Sequence, residues 1–257
     1  MLGLRNLYRI FHESRSAVRK HTTISVTGDP PEVGRLADLL EAQRNAAGAE
    51  ILLAVTAARN GAGSVEVHVS GDAVEDAETV VLPAVSEETV LRELAPRLAH
   101  ALDEDYLVSL GRGYPVFRRA VCEEIIRSNA RQNAFIGALP IPGADMPIIT
   151  ANQGRMVLGI AAAYGEELSM ERARELIGVL AAGFGLRALS RQLLKFVPVA
   201  GWAAAGVIGY AGTLAMGRAA ILYFERGKQE PEPEEHTEIM HRAREEAEAF
   251  FARSHRR

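Results

Sequence analysis

The sequence predicts an α+β protein: a small N-terminal α/β domain followed by an all-α helical domain built from a duplicated helix–Pro-x-x-Gly–helix unit. Three observations predict it. Strand and helix signals alternate through residues 21–110, and no strand signal follows Tyr114. Two apolar stretches then align at a fixed offset: Pro140-Ile141-Pro142-Gly143 returns 58 residues later as Pro198-Val199-Ala200-Gly201. At that offset Gly154 matches Gly212, Gly159 matches Gly217, and Ala161-Ala162 match Ala219-Ala220. The expected organisation is an amphipathic basic helix over 1–20, an α/β domain lacking a phosphate loop over 21–112, a Gly/Ala-rich helical domain over 113–225, and an acidic Pro/Glu linker with a polar helix over 226–257.

In the first segment Leu4, Leu7, Tyr8 and Phe11 fall on one helical face, and five basic residues oppose the lone acid Glu13. Such a helix suits an anionic membrane surface. Arg5 and Arg9 interrupt its apolar positions, so it does not read as a secretory signal. Thr22–Thr27 is β-branched and alternating, which predicts a strand. Asp29-Pro30-Pro31-Glu32 predicts a helix start, with Asp29 as N-cap, Pro30 as first helical residue and Glu32 as capping-box acid. Leu36, Leu39 and Leu40 supply its apolar face.

Ile51–Val55 is a continuous apolar run, which predicts a strand covered on both sides. Further strands are expected at Ser64–Val69 and Thr79–Leu82, and a helix opening at Ser86 and reaching about Leu102. Asp103-Glu104-Asp105 then reads as its solvated end. Strands separated by helices imply some parallel pairing. Beyond Tyr114 the pattern predicts helices over Val116–Ala138, along the first apolar copy, from Ser169 to Gly183, through a basic segment with Arg187, Arg191 and Lys195, and along the second copy to Phe224. A charged, solvent-exposed helix is expected over His236–Arg253.

At 257 residues the chain can hold one large or two modest domains. Its hydrophobic content of 48% and charged content of 24% are ordinary for a folded protein. A net charge of −4 gives no general attraction to nucleic acid, and none is expected as a partner. The single cysteine, Cys122, rules out an intrachain disulfide or a multi-cysteine metal site and reads as a small buried hydrophobe.

The alternating half calls for a test of nucleotide chemistry. Thr27-Gly28-Asp29-Pro30-Pro31 follows a strand and precedes a helix, where a phosphate loop would sit. No G-x-x-x-x-G-K-[ST] run is present. Pro30 and Pro31 remove two backbone donors, and Asp29 adds charge of the wrong sign. No G-x-S-x-G or H-E-x-x-H motif and no Cys/His metal pattern occurs either. No catalytic residue, cofactor or metal is therefore assigned.

The informative residues lie in the second copy, which carries no charge from Phe196 to Gly217. There Gly201, Ala205, Gly209, Thr213 and Gly217 recur every four residues and place a small-residue stripe on one helix face. The stripe serves helix packing in a bundle or in a membrane. Its helix is long enough to span a bilayer, since ~20 apolar residues suffice. The first copy argues the other way, because it keeps Asp145 and Arg155. These two residues and Arg218 are the candidate buried polar groups, and Pro140, Gly143, Pro198 and Gly201 are the turn motifs.

The run Asn133-Ala134-Phe135-Ile136-Gly137-Ala138-Leu139-Pro140-Ile141-Pro142-Gly143-Ala144-Asp145, with Asn152-Gln153-Gly154-Arg155 and Ala163-Tyr164-Gly165, resembles the YcjF-type helical domain of unknown function. So does Ser190–Trp202, with Thr213, Gly217-Arg218-Ala219-Ala220 and Tyr223-Phe224. The resemblance spans about Tyr114–Glu225. It implies a bacterial protein that works beside an Era-like GTPase and is often a membrane protein. In GTPase-fused members the guanine-specifying strand would be expected near Ile51–Ala57, but neither its N-K-x-D motif nor the phosphate loop occurs here.

The leading expectation is a non-enzymatic, membrane-associated adaptor or regulator. It would bind a protein partner such as a GTPase, touch a membrane surface or bilayer, form homo-oligomers, and lie at the cytoplasmic face of the inner membrane or in the cytoplasm. Two alternatives stay open: a degenerate GTPase-like nucleotide-binding protein and a soluble helical scaffold.

Overall fold

The computed structural model describes residues 20–28, 31–58, 64–138, 145–167 and 201–254. The helix expected over 1–20, apart from Lys20, the helix expected over 169–183, the basic segment with Arg187, Arg191 and Lys195, and the residues Asp29, Pro30, Pro140, Gly143 and Pro198 lie outside the described residues. The chain divides into two compact units. One runs up to Glu124 and includes Ala163–Gly165; the other comprises Ile125–Ala162 and the chain from Glu166. The fold class is α+β, a five-stranded sheet domain followed by helices.

The N-terminal unit is built on β1 (Ile24–Gly28), β2 (Gln43–Arg44), β3 (Ile51–Ala57), β4 (Val65–Ser70) and β5 (Glu78–Leu82), in sheet order β2-β1-β3-β4-β5. β1 pairs parallel with β2 and β3, while β3-β4-β5 is an antiparallel meander. Helix α1 (Glu32–Leu40) makes the parallel crossover from β1 to β2 and buries Val33, Leu36, Ala37 and Leu40. It starts at Glu32, behind Pro31, with no side-chain cap, so Glu32 is the first helical residue rather than the capping-box acid. The reason is steric: a residue that precedes proline disfavours the helical region, and the second of two prolines sets the start.

The expected cover on both faces of β3 is not found. Ile51, Leu53 and Val55 are fully buried, whereas Leu52 and Ala54 are half-buried. β4 and β5 continue this alternation, with Val67, Val69, Val80 and Leu82 inside and His68 and Val81 outside. The two antiparallel strands therefore carry one buried face.

Ser86 opens the next helical run as expected, through a reciprocal capping box with Thr89. The run comprises α2 (Glu87–Thr89), a π-helical segment (Val90–Leu94) and α3 (Ala95–Ala101). Pro96 explains the interruption, because proline has no N–H to donate and clashes with the carbonyl four residues before it. Asp103 is no trailing helix end: its carboxylate accepts from the Asp105 N–H at 2.8 Å and caps α4 (Glu104–Gly113). Tyr114 is extended, as a residue before proline must be, and Pro115 opens α5 (Pro115–Ala138) at the favoured first position. The Tyr114 hydroxyl accepts from the Ile24 N–H at 2.8 Å and ties this junction to the start of β1.

The second unit holds the rest of α5, then α6 (Asp145–Ala163), α7 (Gly201–Glu225) and α8 (Pro233–Ser254). No strand occurs beyond Tyr114 among the described residues. Gly227 and Lys228, both at positive φ, end α7 by donating their N–H groups to Phe224 and Tyr223. Helix α8 corrects an expectation. It is not simply solvent-exposed: Ala243 and Ala247 are fully buried, and Phe250 stacks on Tyr210 of α7 with ring centroids 4.7 Å apart. Apart from Glu246, its acidic and basic residues between Glu238 and Arg253 are exposed, so composition alone hid the buried stripe.

Candidate functional site

The helical unit is organised around α7. Its side chains are almost all uncharged, so the helix can be enclosed without stranding charge. Gly209, Thr213 and Gly217 face α5. A Cβ added at Gly209 would stand 3.0 Å from the Asn133 carbonyl oxygen, and one at Gly217 would stand 2.3 Å from Ile126 Cγ1. One at Gly206 would meet Phe251 at 3.0 Å and the Ala134 carbonyl oxygen at 3.2 Å. Residue numbers rise along α5 as they fall along α7, so the two helices are antiparallel. Gly212 has nothing within 4 Å of its added Cβ, so close approach is not shared by every glycine of α7; it includes Gly206, which lies off the four-residue stripe. Gly201 opens α7 and Ala205 lies one turn on, but the surroundings of residues 201–205 fall outside the described residues.

A polar network crosses this apolar interior at one level. Asn133 of α5 is fully buried; its Nδ2 donates to Thr213 Oγ1 of α7 at 2.9 Å, and its Oδ1 accepts from Asn152 Nδ2 of α6 at 3.0 Å. Thr213 in turn donates to the Gly209 carbonyl at 2.7 Å and accepts from Gln153 Nε2 at 3.5 Å. Arg155 donates to Asn152 Oδ1 at 3.4 Å. Asn129, one turn before Asn133, returns its amide to the Ile125 carbonyl at 2.8 Å. The small residues let the backbones approach, and the amides then bridge three helices and fix their register.

The third side of α7 belongs to α8. Arg218 NH2 pairs with Glu246 at 2.7 Å, and Arg127 of α5 lies 3.8 Å from the same carboxylate. Tyr210 packs against Phe250 and edge-on to Phe251. Burial is the main cause of its raised pKa; Glu246 adds to the rise, and Arg131, Arg127 and Arg218 oppose it. The buried face of α8 thus reads Ala243, Glu246, Ala247, Phe250, Phe251, the spacing of a helix stripe.

Of the sequence candidates, Arg218 is ion-paired to Glu246, Arg155 joins the amide network, and Asp145 is the first residue of α6. Cys122 is fully buried. Sequence reading missed the bridging roles of Asn133, Asn152 and Gln153 and the partner face of α8. Asn129 and Asn133, four residues apart on a helix that enters an apolar stretch, were the available signal. The network is built from neutral amides and a hydroxyl with the Arg155 guanidinium at its edge, groups that bind and orient but do not transfer protons near neutral pH. Among the described residues no group of three His, Cys, Asp or Glu side chains could hold a metal.

One 20-residue stretch of α7, Gly206–Glu225, is long and apolar enough to cross a membrane by length and composition, and 61% of it is buried by the protein itself. The chain is similar to magnetosome membrane protein 22 of Magnetospirillum gryphiswaldense, at 29% identity over 121 residues, which cover 44% of this chain and 62% of the relative. The match therefore takes in somewhat under two thirds of that relative's length. No solved structure matches the chain. The family model of the domain of unknown function DUF697 matches residues 115–248, more than half of the chain, and so takes in α5, the polar network and most of α8: the chain belongs to the DUF697 family.

Proposed function

We propose that the protein is a non-enzymatic, membrane-associated adaptor in which α7 is the centre of the helical unit rather than a bilayer span. The observation that carries this reading is the enclosure of α7. Its small-residue face is filled by Ile126 and Asn133, its polar residue Thr213 by Asn133 and Gln153, and its Tyr210 and Arg218 by α8. A helix so enclosed by its own chain leaves little surface for lipid. The likeness to a magnetosome membrane protein supports membrane association, which is then peripheral. We place the protein at the cytoplasmic face of the inner membrane. The amide network lacks an acid, a base and a nucleophile, which favours binding over catalysis. The partner we propose is a protein, and on the family resemblance an Era-like GTPase is the first to test.

Membrane fractions washed with high salt and then with alkaline carbonate test the reading. A peripheral adaptor sediments with membranes at low salt and is released by these washes. Retention through carbonate would overturn the enclosed-helix reading. Recovery wholly in the soluble fraction at low salt, as a monodisperse monomer, would overturn membrane association and leave the soluble scaffold.

A further inference from the structure

One end of the helical unit brings together features that the polar network leaves unused. Asn133 bonds Asn152, and the Asn133 and Ala134 carbonyls abut Gly209 and Gly206. At about 1.5 Å rise per residue, the end of α5 and the starts of α6 and α7 therefore lie within roughly 7–12 Å of the network, all on one side of it. Phe251 meets Gly206, so α8 ends there too. This end carries Phe135, 69% exposed, and Ile148, 48% exposed. They are the two most exposed large hydrophobics described in this unit, and a stable interior gives no reason to leave a phenylalanine in water.

The charges around them have a sign. Among the described residues, Arg131 and Arg253 are exposed at this end, Asp145 opens α6, and Glu248 near the end of α8 is paired with Arg244; the sequence continues past α8 with His255-Arg256-Arg257. Between Arg131 and Asp145 there is no charge at all. The opposite end of α8 starts among Glu230, Glu232, Glu234 and Glu235. A chain of net charge −4 thus turns a basic, apolar end one way and an acidic end the other. That polarity fits an anionic surface with an apolar layer beneath it.

We propose that this end of the helical unit, led by Phe135 and Ile148, docks into the headgroup–acyl boundary of an anionic lipid bilayer. The inference rests on the membrane reading above and names the surface that makes the contact. Phe135 and Ile148 supply apolar burial, and Arg131 and Arg253 supply attraction to lipid phosphates. α7 enters only with its first residues, so Trp202, the only tryptophan, sits near the interface.

The test is co-sedimentation of the full chain with phosphatidylcholine vesicles, with and without phosphatidylglycerol. Wild type is expected to bind the anionic vesicles. Phe135→Asp and Ile148→Asp each lower partitioning about tenfold with circular dichroism unchanged, since both side chains are exposed. Val81→Asp and Leu91→Asp, exposed in the other unit, leave it unchanged. Spin labels near the headgroup quench Trp202 more than labels at the chain ends. Binding by wild type that survives both Phe135→Asp and Ile148→Asp overturns this surface and leaves the membrane reading standing. Stronger quenching from the chain ends overturns it in favour of insertion. Absence of wild-type binding to either vesicle removes the membrane reading itself, and this inference with it.

Discussion

Replacing Gly217 by alanine tests whether α5 and α7 meet as described. The new Cβ would stand 2.3 Å from Ile126 Cγ1, 2.7 Å from Cδ1 and 3.0 Å from Cγ2. Ile126 is fully buried and β-branched, so turning χ1 moves one branch away only by bringing the other in. Overpacking of this kind costs about 1–3 kcal/mol. Alanine in a helix interior recovers about 1 kcal/mol relative to glycine. The net expectation is a loss of about 1 kcal/mol. Ile126→Ala alone costs about 2–5 kcal/mol, but it removes every atom that the new methyl would strike. In that background Gly217→Ala keeps only its helix propensity and stabilises by about 1 kcal/mol. The sign therefore reverses, a coupling of roughly 2 kcal/mol. Urea unfolding followed by Trp202 fluorescence reads it, because the only tryptophan lies on α7 and reports the helical unit. Stabilisation by Gly217→Ala in both backgrounds would refute the packing, since it is the behaviour of a helix with nothing against that face.

Three further outcomes are expected. Asn133→Ala removes two buried hydrogen bonds, leaves the Asn152 amide without its acceptor and opens a small cavity, so the helical unit loses about 2–4 kcal/mol in the same unfolding assay. Tyr114→Phe strands the Ile24 N–H at the start of β1 and costs about 1–3 kcal/mol, with Ile24 losing amide-exchange protection before the centre of β3 does. The Thr23 hydroxyl and N–H, bonded to Glu50 at 2.6 and 2.8 Å, hold its carboxyl below the usual range. That contribution is present above the unfolded-state pKa and is lost as pH falls through the lower folded-state pKa, so Glu50→Gln flattens the acid side of the stability–pH curve.

Local rules made much of the first unit legible. The strands at 24–28, 65–70 and 78–82 follow alternation and β-branching, the strand at 51–57 follows an apolar run, and the helix start expected at Ser86 is present, where the structure shows a capping box. What failed depended on partners far along the chain. β2 is two polar residues without periodicity, held as a strand by parallel pairing with β1. The half-open face of β3 goes with its place beside the antiparallel β4, which a run of apolar residues does not announce. The polar network is the same case at larger scale. Asn133 and Thr213 are 80 residues apart, and no single-helix period links them.

The polar side chains also decide what the apolar helix means. Length and composition are identical for a span and for a bundle centre, so α7 alone carries no answer. Thr213 bonds back to the Gly209 carbonyl and needs no partner from outside its helix, so it would be tolerated in either setting. Asn133 is different. Its amide has one donor committed to Thr213 and its oxygen committed to Asn152, two bonds that exist only if α5, α6 and α7 stay together. Withdrawing α7 into lipid breaks the first bond and strips Ile126 from the Gly217 face at once. The same small residues that give α7 the composition of a span therefore also pack it against α5, and on the proposal above membrane contact falls to the exposed end that bears Phe135 and Ile148.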